Sequence, residues 1–168
     1  MKKIASNFFN ILLVAFLVFQ LFLLIPRVLN HIHTEGTKAL DFSVLLMNNE
    51  VFHFNEQKKP LLLVFWATWC KPCQLELFRL NQLVKEGKIR PDSLLAISSG
   101  EDPALVTKTA IDRNYHFLTG FDPSGSLSQK YKVQATPTTL LIDQDHIIKW
   151  MSDGLSPSLE WRLTGGNL

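Results

Sequence analysis

Residues 61–73 read LLLVFWATWCKPC, and this stretch of sequence decides the fold. Its first half, Leu61–Trp66, is a continuous apolar run of the kind found in a β-strand that is buried on both faces. Its second half ends at Cys73, after which apolar residues recur at the spacing of one helical face. They are Leu77, Leu80 and Val84. We therefore predict a central buried strand that leads directly into an amphipathic helix.

Shorter signals predict the elements around this unit, since apolar runs flank turn residues and proline stands at helix starts. In chain order we expect a hairpin over 42–54, a strand over 93–98, a helix over 103–113, a short strand over 116–119, a short helix over 126–131, a hairpin of strands 138–142 and 147–151, and a final helix after residue 157. Alternating strands and helices that end in a β-hairpin and a helix predict an α/β sandwich around a mixed central sheet.

The segment 8–26 reads FFNILLVAFLVFQLFLLIP and contains no charged residue. As a helix this segment would be about 28 Å long, which matches the hydrocarbon thickness of a bilayer. The alternative is a cleaved signal peptide. However, the apolar stretch exceeds the usual apolar region of a signal peptide, and no Ala-x-Ala-like site follows it. We therefore expect one N-terminal transmembrane helix that remains as a signal anchor.

The charges around this segment predict its orientation in the membrane. Lys2 and Lys3 precede it without an acidic neighbour, so residues 1–7 should stay in the cytoplasm. Residues 27–38 then form a polar tether. Residues 39–168 form the folded domain on the periplasmic or outer side of the cytoplasmic membrane. Disulfide chemistry is permitted in that compartment.

The folded part carries no electrostatic signature of nucleic-acid binding. From residue 39 onward the chain has 13 basic and 14 acidic residues, a net charge of −1. A nucleic-acid-binding domain usually has a basic surface instead. The sequence also lacks a Gly-rich phosphate loop, so no nucleotide cofactor is expected.

The chain has two cysteines, Cys70 and Cys73, at the junction of the predicted strand and helix. Unpaired backbone N–H groups and the dipole at a helix start stabilise a thiolate, so Cys70 should be the nucleophile. Cys73 lies one turn further on the apolar face. There it is shielded from large substrates but can resolve a mixed disulfide formed by Cys70. The positive charge of Lys71 adds to the stabilisation of the thiolate.

Other uses of a Cys-x-x-Cys motif fit the chain less well. A structural zinc site needs four ligands, and no second Cys-x-x-Cys or His-x-His pair lies in the folded part. Covalent haem attachment would need a His where the chain has Gln74. A purely structural disulfide would close too small a loop to stabilise the fold much. We therefore predict a redox-active couple of Cys70 and Cys73 that needs no further cofactor.

The segment 65–73, FWATWCKPC, closely resembles the active-site segment of thioredoxin-like proteins. Thr136-Pro137, directly before a predicted strand, resembles the cis-proline loop of the same superfamily. The similarity covers residues 39–168 and implies a thioredoxin-like three-layer sandwich with a mixed central sheet. It further implies that Thr136 and Pro137 lie against the active-site disulfide and, together with Trp69, contact the substrate.

Within this superfamily the chain is most similar to the membrane-anchored TlpA/ResA/DsbE group. The shared features are the anchor, the leading hairpin and Glu76 after the second cysteine. The tail 159–163, LEWRL, also resembles ScsD-type proteins, which are linked to copper tolerance. These resemblances imply a thiol-disulfide oxidoreductase that reduces disulfides of exported proteins, with apocytochrome c as a candidate substrate. An integral-membrane thiol carrier would re-reduce it, and we expect a monomer.

Glu76 is a candidate catalytic residue beside the two cysteines. If it is buried, its carboxylate can take or supply the proton that Cys73 exchanges. The alternative is an exposed Glu76 that pairs with Arg79 along the helix. Thioredoxins place a buried Asp on the central strand where this chain has Val64. The resemblance therefore favours the proton-exchanging role for Glu76.

Two other functions compete with disulfide reduction. The thiolate pair could hold Cu(I), a soft ion that prefers sulfur ligands, in a periplasmic module for copper tolerance or delivery. Copper-delivery proteins of this fold usually have a wider cysteine spacing and a partner His, neither of which is evident here. A non-catalytic scaffold would leave the cysteines and the proline loop unexplained. Metal titration beside a dithiol assay would distinguish Cu(I) binding from disulfide reduction.

Overall fold

The computed structural model describes residues 10–22, residue 25 and residues 34–164. The chain divides into two compact units, Met1–Thr34 and Glu35–Leu168. In the first unit residues 10–22 are helical, and their side chains are exposed. Among the described residues no helix is both long enough and apolar enough to cross a membrane.

Parts of the predicted N-terminal organisation lie outside the described residues. They are the cytoplasmic segment 1–7, positions 8–9, 23–24 and 26 of the predicted anchor, and residues 27–33 of the tether. The last four residues of the predicted domain, 165–168, lie outside as well. The anchor and its orientation therefore stay predictions.

The second unit begins at Glu35, slightly before the predicted boundary at residue 39. The last residues of the predicted tether pair with the C-terminal hairpin, since the backbone N–H of Gly36 donates to the carbonyl of Ile148 at 2.7 Å. In chain order, the strands and helices of this unit are β1 Ser43–Leu45, β2 Val51–His53, β3 Leu61–Trp66, α1 Lys71–Lys85, β4 Leu94–Ser99, α2 Pro103–Asp112, β5 Leu118–Asp122, α3 Ser126–Lys130, β6 Thr138–Ile142, β7 Ile148–Asp153 and α4 Leu159–Thr164.

The main sheet has five strands in the order β5-β4-β3-β6-β7, so the strand predicted to be central is indeed the middle strand. It runs parallel to β4 and antiparallel to β6, which makes the sheet mixed, as predicted. All six residues of β3 are buried. The predicted leading hairpin forms a separate two-stranded sheet of β1 and β2, and Asn49 in its turn has a positive φ of 65°.

The two faces of the main sheet carry separate hydrophobic clusters. Side chains from α1, α2 and α4 cover one face. The α1 residues that were predicted to face the core are buried there: Leu77, Leu80 and Val84. Strand β1, helix α3 and the rings of Phe42 and Phe54 cover the other face. The predicted α/β sandwich around a mixed sheet is therefore confirmed.

Two predicted strands differ from the observed strands by two or more residues at one or both ends. The strand expected over 116–119 is β5, which starts two residues later because the backbone N–H of His116 donates to the side chain of Asn81 at 2.8 Å. The strand expected over 147–151 is β7, which is longer because its pairing with β6 continues to Asp153.

Candidate active site

The two cysteines lie where β3 ends and α1 begins, as predicted. Cys70 is the N-cap residue of α1, and its Sγ accepts a hydrogen bond from the backbone N–H of Cys73 at 3.2 Å. The two sulfurs form a disulfide with an S–S distance of 2.11 Å. After reduction, Sγ of Cys70 would therefore occupy a position in which helix N–H groups stabilise a thiolate.

The two sulfur-bearing residues differ in their access to solvent. Cys73 is 0% exposed on the apolar face of α1, whereas Cys70 retains 5% exposure at the helix start. A substrate disulfide can therefore reach Cys70 more easily than Cys73. The assignment of Cys70 as the attacking thiol and of Cys73 as the resolving thiol fits this difference.

The loop before β6 meets the disulfide. The peptide bond between Thr136 and Pro137 is cis, and the carbonyl oxygen of Thr136 lies 3.3 Å from Sγ of Cys70. The end of β7 holds this loop in place, since the backbone N–H of Gly154 donates to the carbonyl of Pro137 at 2.6 Å. The structure thus brings together Cys70 and both residues of the predicted substrate-binding loop.

Glu76 is both buried and ion-paired. Its side chain is 0% exposed and belongs to the buried face of α1 that also carries Cys73. Nη1 of Arg79 donates to Oε2 of Glu76 at 3.0 Å, and the Arg79 side chain is 35% exposed. The other oxygen, Oε1, is buried and has no hydrogen-bond partner among the described residues. Burial and the pairing with Arg79, which the sequence presented as alternatives, therefore occur together.

The two tryptophans beside the motif differ in burial. Trp66 is fully buried, and its ring packs edge-on against Tyr115, whose pKa is raised by burial. Trp69 is 74% exposed. Together with Leu105 and Thr109 of α2 it lines an open cleft of about 600 Å³. Trp69 therefore belongs to the surface next to Cys70, where a substrate can contact it.

A carboxylate absent from the sequence-based predictions holds the turn before Cys70. Glu101 accepts hydrogen bonds from the backbone N–H of Thr68 at 2.8 Å, from the Thr68 hydroxyl, and from the Ser98 hydroxyl at 2.7 Å. The side-chain amide of Gln74 donates to the carbonyl of Thr68 at 2.9 Å. The position of Glu101 in the sequence could have indicated this role. Glu101 follows β4, and the carboxyl ends of the parallel strands β3 and β4 lie at the same edge of the sheet.

The structure offers few additional ligands for a metal. In the parts of the chain that it describes, no group of three or more His, Cys, Asp or Glu side chains could hold a metal ion. A Cu(I) ion at the motif would have the reduced sulfurs of Cys70 and Cys73 as its soft ligands.

Sequence comparison identifies the family. The profile of the AhpC/TSA family matches residues 36–151. A thioredoxin-like protein of Haemophilus influenzae is 31% identical over 120 residues, which are 71% of this chain and 65% of that protein. The thiol-disulfide oxidoreductase ResA of Geobacillus kaustophilus is also 31% identical over 120 residues, which are 71% of this chain and 69% of that protein. The matched region thus spans just under two thirds of the Haemophilus protein.

Structure comparison supports the same assignment. A solved structure from Chlorobium tepidum, assigned as a thiol:disulfide interchange protein of DsbE type, matches with a TM-score of 0.69 and 26% identity over 78% of this chain and 93% of that chain. The chain therefore belongs to the AhpC/TSA family and has the predicted thioredoxin-like fold. Its predicted kinship with ResA- and DsbE-type thiol-disulfide oxidoreductases is confirmed, and the finer resemblance to ScsD-type proteins stays a prediction.

Proposed function

We propose that this member of the AhpC/TSA family is a membrane-tethered thiol-disulfide oxidoreductase that reduces disulfides of exported proteins outside the cytoplasm. The arrangement of the two cysteines carries the proposal. Cys70 caps α1 and accepts the N–H of Cys73, whereas Cys73 is fully buried. An attacking thiol needs thiolate character and access, and a resolving thiol needs only to reach the attacking sulfur.

The reduced pair would act in two displacement steps. The Cys70 thiolate attacks one sulfur of a substrate disulfide, forms a mixed disulfide and releases the other substrate sulfur as a thiolate. Cys73 then loses its proton and attacks Sγ of Cys70, which releases the second substrate sulfur. Two electrons pass to the substrate, whose thiolates take up protons. The Cys70–Cys73 disulfide of the structure corresponds to the protein's oxidised state after this sequence.

Three residues next to Cys70 would bind the substrate segment. The carbonyl of Thr136 lies 3.3 Å from the attacking sulfur. The backbone of Thr136 could therefore pair with an extended substrate segment whose disulfide is attacked by Cys70. Pro137 belongs to the same loop, and Trp69 offers an exposed aromatic ring. Aromatic side chains of this kind often dominate the energy of a protein interface.

The uncharged apolar segment 8–26 supports the proposal of a membrane anchor. In this topology residues 1–7 lie in the cytoplasm, residues 27–38 are the linker, and residues 39–168 lie in the periplasm or at the cell exterior. An integral-membrane thiol carrier would return the disulfide to the dithiol. The resemblance to the DsbE group makes apocytochrome c a candidate substrate. A monomer suffices, because one chain contributes both cysteines and the proline loop.

Substrate trapping with the full chain tests the proposal. A Cys73→Ser variant should accumulate mixed disulfides through Cys70, because no second thiol remains to release the substrate. Dithiothreitol should dissolve these species, and mass spectrometry should identify the partners. A Cys70→Ser variant should trap far less, since Cys73 is buried.

Equal trapping by the two variants, or by neither, would contradict the proposed roles of the cysteines. Cu(I) titration of the wild-type chain covers the competing function. Tight Cu(I) binding together with no trapping by Cys73→Ser would move the assignment to a copper-binding module.

A further inference from the structure

Arg79 is the charged partner of the buried carboxylate on α1. Its Nη1 lies 3.0 Å from Oε2 of Glu76 and donates to the carbonyl of Ser156 at 3.5 Å. Ser156 lies between β7 and α4, so one guanidinium joins α1 to the segment that leads into the last helix. The Arg79 side chain is 35% exposed and that of Glu76 is 0% exposed, so the pair extends from the interior to the surface.

The resolving step needs a proton acceptor where water has little access. Cys73 is 0% exposed, and its thiol must lose a proton before its sulfur can attack Cys70. Side chains three positions apart on a helix have Cβ atoms about 5–6 Å apart, which places Glu76 next to Cys73. Among the described residues Asp122 is the other buried carboxylate, and the backbone N–H groups of α3 occupy its oxygens.

The two oxygens of Glu76 have different environments. Oε2 is bonded to Arg79, whereas Oε1 is buried without a partner in the described part of the chain. Buried polar atoms without a partner are uncommon in native proteins, so Oε1 calls for an explanation. The hydrogen bond from Arg79 fixes Oε2, so the carboxylate is held in one orientation and Oε1 is the oxygen left for another partner. We infer that Arg79 is a positioning residue that holds Glu76 as the base for Cys73.

This inference rests on the proposed function and adds a residue to it. The proton of the Cys73 thiol moves to Oε1 of Glu76, and the resulting thiolate attacks Sγ of Cys70 in the mixed disulfide. The new bond joins Cys70 to Cys73, and the bond from Cys70 to the substrate sulfur breaks. The substrate sulfur leaves as a thiolate with the electron pair of that bond, and Glu76 later releases its proton to solvent.

The chromogenic disulfide DTNB separates the two steps on the reduced full chain. Attack by Cys70 releases one thionitrobenzoate, and attack by Cys73 on the mixed disulfide releases the second. Arg79→Met should leave the first phase unchanged and slow the second about tenfold, while Glu76→Gln should slow the second about 100-fold. Arg79→Lys should restore most of the rate, because it keeps the positive charge.

The two phases distinguish the possible failures. If the wild-type chain shows no first phase, the proposed function fails. If the first phase is present and the second is unchanged in Arg79→Met, only the inference is overturned. Arg90→Met is the matched control, since Arg90 is also partly exposed and ion-paired, with Asp92 at 3.5 Å. It should leave both phases unchanged, and a slowed second phase there would count against a specific role of Arg79.

A double variant tests whether Arg79 acts through Glu76. In the Glu76→Gln background, Arg79→Met should not slow the second phase further, because the group it positions is already gone. Further slowing in that background, or no rescue by Arg79→Lys, would overturn the inference. If Arg79→Met alone does not fold, the double variant can still be measured. Its Glu76→Gln change removes the buried charge that Arg79 neutralises, so no buried carboxylate is left unpaired.

Discussion

Oε2 of Glu101 lies 2.8 Å from the backbone nitrogen of Thr68, and this hydrogen bond ties the loop after β4 to the turn that precedes Cys70. The Thr68 hydroxyl donates to the other oxygen of the same carboxylate. Both donors of Thr68 therefore depend on one side chain from a neighbouring strand end. The conformation of this turn positions Cys70 as the N-cap residue of α1.

Glu101→Ala should destabilise the protein and slow the attack by Cys70. It leaves the backbone N–H of Thr68 and the Ser98 hydroxyl without their acceptor, which should lower the free energy of unfolding by about 1–3 kcal/mol. Urea denaturation measures this change, and the first DTNB phase measures the attack. Glu50→Ala is the control, because Glu50 accepts from Asn48 in an exposed turn and its loss should cost less than about 0.5 kcal/mol. Equal effects of the two variants would contradict a special role for Glu101.

Trp69→Ala should weaken the reaction with protein substrates more than the reaction with small disulfides. An exposed ring beside Cys70 contacts a docked protein but is not needed by DTNB, so kcat/KM for a protein disulfide should fall about tenfold, mainly through KM. Trp161→Ala is the matched control, because Trp161 is 75% exposed on α4. If the two variants lower kcat/KM alike, Trp69 has no particular part in substrate binding.

The Cys70–Cys73 couple should have a midpoint potential well below about −120 mV, the value of a strongly oxidising relative. The intervening residues Lys71 and Pro72 offer no His that could donate to the thiolate, so the thiolate should be only moderately stabilised. Equilibration with glutathione buffers measures the potential. Pro72→His should shift it upward. A wild-type value at or above that of the oxidising relative would make the protein an oxidant and exclude the reducing role.

Leu77→Ala should destabilise the core below the disulfide. Leu77 is 0% exposed, and the truncation removes buried methyl groups and leaves a cavity, which should cost about 2–5 kcal/mol. Leu75→Ala on the same helix is the matched control, because Leu75 is 50% exposed and its truncation should cost less than about 1 kcal/mol. Thermal or urea unfolding compares them, and similar losses would mean that the buried face of α1 is assigned incorrectly.

The folded unit should lie outside the cytoplasm. Lys2 and Lys3 hold the amino terminus inside, so a reporter fused after Leu168 should be exported. Alkaline phosphatase serves as the reporter, because it is active only after export. Changing Lys2 and Lys3 to Glu reverses the charge before the apolar segment and should lower the alkaline phosphatase activity of the fusion. An inactive fusion to a stable wild-type chain would show that the orientation is wrong.

The unit of β3, Cys70 and α1 could be predicted because its signals are local. A buried run, a proline in the first turn and an apolar helical face lie within neighbouring residues. The start of β5 could not be predicted in this way. The backbone of His116 bonds to Asn81 of α1, and this contact between distant positions delays the strand.

The surroundings of Glu76 in the site could not be predicted from the local sequence either. Its offset from Cys73 suggested either a buried base or an exposed partner of Arg79, and the helical period allowed both. The structure combines them, because the Arg79 side chain extends from the surface to Oε2 of the buried carboxylate. The packing of the segment at Ser156 against Arg79 is not visible in the helix sequence.

The sequence by itself determined the redox pair and its place at a helix start, since cysteine spacing, strand burial and helical periodicity are properties of neighbouring residues. Tertiary structure alone decided which distant groups join that pair. Thr136 reaches Cys70 across 66 positions, and Glu101 reaches Thr68 across 33. Strand order causes both contacts, because β6 lies antiparallel to β3 and starts where β3 ends, while β4 runs parallel and ends at the same edge. That order results from burying both faces of the whole sheet, which no short stretch of sequence specifies.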